Sequence, residues 1–482
     1  MLYVSTRGAA EGKTFADIAF EGFASDGGLY VPESYPQFTA DDIAMLRGRD
    51  FPSIAVEILK SFWTQIPAQK LWEICRDAWQ PANFTHGRDP FKAHDVAPIK
   101  WLRDHVGLYE LANGATLTFD DFSLEFLKRL HAKHLGTEPR NFTLVGATTG
   151  DMGASAQFAF GGRKDTRIVL LSPKGRMSKF QSAQLYSNQD ENVLNLEVDG
   201  TFDDCQELVY ALLSNKEFKE ANSLGAVNSY LWARIAVQVA CYFYAYVQAS
   251  SSNTEQIVFC VPGGNFGNAF AGYVAKKMGL PILRLLVATN ENDAMDEFLR
   301  TGVYSPRPAS ETVATSSPSM DISRAANFER FLFEILGRDG KRVAELMDDL
   351  EKNGRFELTK DEFTKVRRSG LASGTSNHAN RLEIIEFLNI EFATTIDPHT
   401  ADCLYTGVYL HPVGVKTVCF ETVQAVKFPK MTQQATGATV PLPDDYADVF
   451  ERPQRKVEVP VDLEVVRRKV VDFASKPFES AE

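Results

Sequence analysis

An α/β fold with parallel sheets flanked by helices is predicted by three observations. Apolar, strand-like runs recur through residues 99–422, turn chemistry follows each run, and a helix-period stretch follows the turns. Repeated strand–turn–helix units pack as a mainly parallel sheet with helices on both faces. Loops leaving the carboxyl ends of such strands are where ligands bind.

Along the chain, the first 92 residues read differently from the rest. Asp26-Gly27-Gly28-Leu29-Tyr30-Val31-Pro32 is a tight turn into a short strand, because paired glycines reach positive φ. Between Ser53 and Gln65 the apolar residues Ile54, Val56, Ile58, Leu59, Phe62 and Trp63 stand closer to helical than to strand spacing. Pro81 to Pro98 is rich in Pro, Gly and polar residues and reads as a linker. The strand Phe142 to Val145 then leads into Gly146 to Gly153 and a helix, and Ile168 to Leu171 leads into Ser172-Pro173-Lys174-Gly175-Arg176. Val193 to Val198 leads into Asp199-Gly200-Thr201 and a helix whose first turn holds Asp203 and Asp204, favoured at its positive end. Ile257 to Val261 leads into Pro262-Gly263-Gly264-Asn265-Phe266-Gly267 and the helix Ala269 to Met278. Ile282 to Val287 and Thr417 to Phe420 are further strands. Thr301 to Pro318, with four Ser, three Thr and three Pro, reads as a surface loop or cover, and Val461 to Ala474 as a terminal helix.

Composition narrows the function classes. The 482 residues carry 51 Lys+Arg against 63 Asp+Glu, a net charge of −12, which argues against a dedicated nucleic-acid binder. Hydrophobic residues at 44% and charged residues at 24% match an ordinary globular chain. No run of eighteen apolar residues is present, so no transmembrane helix and no membrane partner are expected. The N-terminus lacks a basic segment followed by an apolar one, so a cytoplasmic location is expected. Six scattered cysteines without a Cys-x-x-Cys read as reduced core thiols, and eight histidines without metal spacing lead to no expected metal site.

The strongest local signal is Gly263-Gly264-Asn265-Phe266-Gly267-Asn268, between a buried strand and a helix. Glycines let several backbone N–H groups turn toward one anion, and the helix start adds partial positive charge. The spacing is neither GxGxxG nor a P-loop, so a phosphate cup for a small cofactor fits better than a nucleotide site. A ligand-free strand-to-helix turn is the plain alternative. A second loop, Gly146-Ala147-Thr148-Thr149-Gly150-Asp151-Met152-Gly153, offers two hydroxyls and free N–H groups to an anion. Taken alone it reads as a helix start capped by Asp151.

These segments, with Ser5-Thr6-Arg7-Gly8, Ala226-Val227-Asn228-Ser229, Trp232-Ala233-Arg234, Ser317-Pro318-Ser319-Met320-Asp321-Ile322 and Asp397-Pro398-His399-Thr400-Ala401, resemble the threonine synthase family of fold-type II pyridoxal-phosphate enzymes. The resemblance covers most of the chain. It implies a fold-type II architecture with an N-terminal domain over 1–92. A cofactor-binding domain over 93–440 would follow, with a smaller α/β subdomain inserted at roughly 121–235, and then a tail and helix over 441–482. It implies conversion of O-phosphohomoserine and water to threonine and phosphate. Gly263, Gly264, Asn265, Phe266, Gly267 and Asn268 would hold the cofactor phosphate and Thr422 would face the pyridine nitrogen. Thr148, Thr149, Asp151, Lys174, Asn228, Ser229 and Arg234 would bind the substrate, a small phosphorylated amino acid. The oligomeric state is left open.

Departures from the family pattern cluster in the pocket. The family lysine that holds the cofactor as an imine stands in His-Gly-Pro-Thr-Leu-Ala-Phe-Lys-Asp. This chain reads Asn113-Gly114-Ala115-Thr116-Leu117-Thr118-Phe119-Asp120-Asp121, with Asp120 at the lysine position. Met152, Thr149, Gly263, Leu231, Gln424 and Ala425 also depart from the family pattern. A carboxylate forms no imine with an aldehyde, so pyridoxal phosphate is expected to bind non-covalently, or as pyridoxamine phosphate. The expectation is a threonine-synthase-like protein with altered lyase or substitution chemistry. The alternatives are a catalytically silent paralogue with a binding or regulatory role, or an ordinary threonine synthase. For Asp120 and Asp121 the plain reading is a pair of caps on the helix Asp121 to Leu135, with Phe122, Phe126, Leu127 and Leu130 inward and Glu125, Lys128, Arg129 and Lys133 outward.

Overall fold

Two parallel sheets carry the molecule, as the recurring strand–turn–helix units require. The computed structural model describes residues 1–9, 12–103, 105–135 and 142–476. The larger sheet has six strands in the order Leu371–Thr375, Ile282–Thr289, Ile257–Pro262, Thr417–Glu421, Val106–Glu110 and Ile99–Arg103. All neighbours are parallel except the last pair, which is antiparallel. The smaller sheet is parallel throughout, in the order Val457–Val459, Val193–Val198, Thr166–Pro173, Phe142–Ala147 and Leu224–Ala226. Most of these strands are buried on both faces, which is why they read as continuous apolar runs rather than alternating ones. The tail strand Val457–Val459 completes the smaller sheet beside Val193–Val198, so residues beyond 441 return to a unit built mainly from residues 142–226.

The 18-residue helix Trp232–Ala249 is buried nearly all the way round. A helix apolar on every side must be enclosed. It packs on Phe51–Phe62, Asp120–Leu130 and Gly267–Lys277, and so joins the N-terminal region to helices that open on the central strands. No helix among the described residues is long and apolar enough to cross a membrane. The strand Tyr3–Ser5 pairs antiparallel with Tyr30–Pro32, and Arg7 reaches across to Glu329 at 2.9 Å.

Several expectations change in detail. The first long helix begins at Phe51, two residues early, because the Asp50 side chain accepts from Ser53 N and Pro52 stands in the first turn. The segment 301–318 is more than a surface loop. Its Val303–Tyr304 pairs with Phe356–Glu357, and Thr315 and Ser317 hydrogen-bond to Asn290. The terminal helix is Leu463–Ala474, capped by Asp462, while 477–482, the end of the expected tail, lie outside the described residues. The helix expected over 121–135 is α-helical over Asp120–Leu130 and turns to a π form at His131–Leu135. Glu125 does not face outward. It is buried and paired with Arg129 at 2.8 Å and Lys128 at 3.2 Å. All six cysteines are free and buried, and Cys260, Cys403 and Cys419 bring their thiols within 4.8 Å of one another beneath the helix Pro398–Leu410.

Candidate functional site

Loops from the carboxyl ends of both sheets converge on a cleft of about 100 Å³. One wall is the turn after Ile257–Pro262. Gly264 at φ +27° and Phe266 at φ +64° bend the backbone, and the helix Gly267–Lys277 starts immediately afterwards. A Cβ on Gly263 would stand 2.8 Å from the Ala288 carbonyl oxygen, and one on Gly267 would stand 2.9 Å from Asn265 Oδ1. The curl is therefore built tight against its neighbours. Asn265 Oδ1 accepts from Gly267 N at 2.8 Å, while Asn327 N and Nδ2 both donate to Asn265 O, at 3.0 and 3.2 Å. Gly264, Asn265 and Asn268 line the cleft, and Gly263 lines a small adjoining space with Gly264. The Phe266 side chain turns away and packs edge-on against Phe328, so this residue offers the cleft only backbone.

The opposite wall carries Asp120. Phe119 precedes the helix without a side-chain cap, and neither aspartate caps it, contrary to the simple reading of two acids at a helix start. Asp121 turns back and accepts from Thr116 N at 2.8 Å, from Thr116 Oγ1, and from Ser155 Oγ at 2.7 Å. It thereby fixes the 114–118 turn, in which Leu117 adopts φ +62°. Burial pushes the Asp121 carboxyl up to about 6 against these hydrogen bonds. Asp120 pairs across the cleft floor with Arg234, which also donates from Nε to Ser123 Oγ at 3.1 Å. Burial raises the Asp120 carboxyl above the ordinary carboxylate range. Arg234 opposes this, and nearby Asp151 adds to it. Arg234 Nη1 is buried without a hydrogen-bond partner.

The third wall is the loop after Phe142–Ala147. Thr148 Oγ1 accepts from Gly150 N at 2.9 Å and Gly153 N at 2.8 Å, closing the turn. Gly150, at φ +114°, is the residue before the helix, so Asp151 is not the cap it was expected to be. Its carboxylate instead receives Lys427 Nζ at 2.9 Å, Gln181 Nε2 at 2.8 Å and Ser319 Oγ at 3.1 Å. Ser319 N donates to His399 Nε2 at 3.0 Å, and His399 Nδ1 lies 2.7 Å from Asp397 Oδ1. The Ser319 N–H directed at Nε2 places a ring proton on Nδ1 toward Asp397, and although burial lowers the His399 pKa, Asp397, with Asp151 and Asp402, raises it above the ordinary imidazole value.

Of the residues expected from sequence, Thr148, Thr149, Asp151, Ser229, Arg234, Gly264, Asn265, Asn268, Asp120 and Thr422 all line the cleft. Lys174 does not. The Pro173–Gly175 turn carries it to the surface, where it pairs with Glu458 at 2.7 Å. Asn228 is buried behind the wall, its Oδ1 accepting from Tyr230 N at 2.9 Å and its Nδ2 unpartnered. Sequence reasoning gave no role to His399, Ser319, Met320 or Phe202, all of which line the cleft, or to Gln181, which fixes Asp151 from behind. The runs 317–322 and 397–401 held the signal for the first three, as polar clusters following turns.

Comparison with known proteins agrees over the whole chain. The threonine synthase N-terminus model matches residues 2–79, and the threonine synthase C-terminal model matches residues 405–470. A threonine synthase of Methylobacillus glycogenes is 41% identical over 473 residues, 98% of this chain and all of that one. A threonine synthase of Corynebacterium glutamicum is 39% identical over 482 residues, 98% of each chain. The crystal structure of pyridoxal-phosphate-bound threonine synthase from Brucella melitensis superposes with a TM-score of 0.88 at 37% identity, covering 99% of this chain and 100% of that chain. With relatives at 37–41% identity covering 98–99% of its length, the chain belongs to the threonine synthase family.

Proposed function

We propose that the cleft binds pyridoxal phosphate together with a small phosphorylated amino acid such as O-phosphohomoserine, with the reaction class of the relatives, a carbon–oxygen lyase. The observation that carries this reading is the tight curl at 263–267, opposite Arg234 and the Thr148–Asp151 turn in one cleft. Backbone N–H groups of that curl and the helix start suit a phosphate. Thr422, at the carboxyl end of a central strand, is available to the ring nitrogen. Thr148, Thr149, Ser229 and Arg234 are available to the substrate. Pyridoxal phosphate supplies an electrophilic aldehyde and an electron-withdrawing ring. In this reading the N-terminal 1–92 and the tail 441–482 brace a cofactor domain over 93–440, with its inserted subdomain at roughly 121–235.

The relatives' names favour the ordinary reaction, from O-phosphohomoserine and water to threonine and phosphate, over an altered one. One observation favours a second reading. No lysine lines the cleft among the described residues, and the buried Lys427 behind it is engaged by Asp151. Asp120 occupies the position at which the motif resemblance expects an amine. Its carboxylate accepts and holds protons and forms no bond to an aldehyde carbon through nitrogen. In that reading the cofactor, or pyridoxamine phosphate, is held without a covalent link, and the chain is altered or silent in chemistry.

Two measurements decide between them. Borohydride treatment with pyridoxal phosphate, followed by mass analysis, leaves a covalent adduct on a lysine if the ordinary route operates, and none in the second reading. Phosphate release from O-phosphohomoserine by wild type, Asp120→Lys and Asp120→Asn then reports activity. Activity confined to Asp120→Lys supports a silent paralogue. Activity in wild type that disappears in Asp120→Asn supports a proton-transfer role for Asp120. Failure of pyridoxal phosphate to perturb the absorption spectrum at any concentration overturns the binding proposal.

A further inference from the structure

A second cavity, larger than the cleft, is present among the described residues. This space of about 510 Å³ lies behind the cleft, between the helix Phe202–Ser214, the N-terminal Arg7 and the 324–329 segment. Asp203, Gln206, Glu207 and Tyr210 fall three, four and seven residues apart and present one helix face to it. Aromatic rings complete the walls. Phe23 stands edge-on to Tyr210 at 4.8 Å and against Tyr230 at 5.0 Å.

Charge in this cavity is unbalanced. Arg7 is engaged by Glu329 at 2.9 Å, and Arg324 by Glu351. Arg7 and Arg324 each pair with one of these glutamates, while Asp203 and Glu207 make no close ion pair among the described residues and share only the longer-range charge of Arg324. Asp203 Oδ1 is buried and accepts no hydrogen bond. Carboxylates beside aromatic faces in a partly dry space attract organic cations, through charge and through the ring quadrupole. Burial raises both carboxyls, Asp203 to about 6, against the Arg324 charge and, at Asp203, a hydrogen bond from the Ser323 backbone, which lower them.

The cavity also shares its walls with the cleft. Phe202, Ser229 and Ile322 line the cleft, while Asp203, Tyr230 and Arg324, one or two residues on, line the cavity. The third of these segments continues to Asn327, whose Nδ2 donates to Ser229 O at 3.1 Å and to Asn265 O at 3.2 Å. These bonds form a continuous path from the cavity wall to the curl at 263–267.

We propose that this cavity is an effector site for a small organic ammonium ion, coupled to the cleft through the 202–203, 229–230 and 322–327 segments. Neither half of the proposal depends on what the cleft binds. The probe is choline, which cannot condense with an aldehyde, compared by calorimetry with its uncharged carbon isostere 3,3-dimethylbutan-1-ol. Choline is expected to bind one per chain and at least tenfold more tightly than the isostere. Asp203→Asn is expected to weaken it at least fivefold, as is Glu207→Gln, whose solvent-facing position keeps folding out of the comparison. At saturation, choline is expected to slow backbone hydrogen exchange at 229–230 and 265–267 in wild type, with no cofactor present. Equal affinity for the two probes, or choline binding unchanged in both variants, overturns the site. Saturable binding with exchange at 265–267 unaltered overturns the coupling.

Discussion

Asp120 and Arg234 form a buried ion pair on the cleft floor, from residues 114 positions apart in the chain. Arg234 reaches it from the central helix Trp232–Ala249, and Asp120 from the first turn of Asp120–Leu130. Two charges withdrawn from water hold each other, and neither is well tolerated alone. Asp120→Ala is expected to destabilise the protein by about 3–5 kcal/mol, because Arg234 then remains buried and unmatched. Asp120→Ala combined with Arg234→Met is expected to recover most of that loss. Urea unfolding of the singles and the double checks it, and a loss under about 1 kcal/mol in the single variant contradicts it.

Lys427 and Asp151 make a second such pair, at 2.9 Å and almost wholly buried. Lys427→Met is expected to cost about 3–5 kcal/mol, since Asp151 keeps Gln181 and Ser319 as donors but loses its counter-charge. The double-mutant cycle with Asp151→Asn is expected to show a coupling of about 1 kcal/mol or more. An additive cycle refutes the pairing.

The Asp121 carboxyl, raised to about 6 by burial, makes a pH prediction of definite sign. Between about pH 4 and 6 the folded state holds this proton while the unfolded state has released it, so stability from this group falls as pH rises through that window. Comparison with Asp121→Asn cancels the other carboxylates. The variant is expected to gain on wild type by up to about 3 kcal/mol between pH 4 and pH 7. A difference independent of pH disproves the raised acid.

Gly146 closes against the backbone of the neighbouring segment, where a Cβ would collide with the Val227 carbonyl oxygen. Neither strand yields easily, because Val227 N also donates to Val145 O at 3.0 Å. Gly146→Ala is expected to cost about 1–3 kcal/mol and to displace Ser229 from the cleft. Unfolding midpoints and pyridoxal-phosphate titration of the variant test both parts.

The strands were legible because buried parallel strands are unbroken apolar runs bounded by Gly and Pro, as in Ile257–Pro262 before Gly263. The cleft walls were legible where backbone chemistry makes them, as at 263–267. Side chains that act across the fold were not. Asp120 and Asp121 look like ordinary acids at a helix start, and only the tertiary arrangement turns one toward Arg234 and the other toward Thr116. Lys174 shows the converse, since its turn belongs to the right strand end yet directs the ammonium to Glu458 at the surface. His399 and Lys427 reach the site from late in the chain, by way of Ser319 and Asp151.

The enclosed helix Trp232–Ala249 carries Arg234 at one end while its flanks are locked between Phe51–Phe62 and Gly267–Lys277. Cutting away the first ninety residues would strip one flank bare, and the remainder would aggregate rather than survive as a smaller module. Change of purpose in such a molecule has to come by exchanging single residues around the hollow, since the surrounding masonry cannot be dismantled piece by piece.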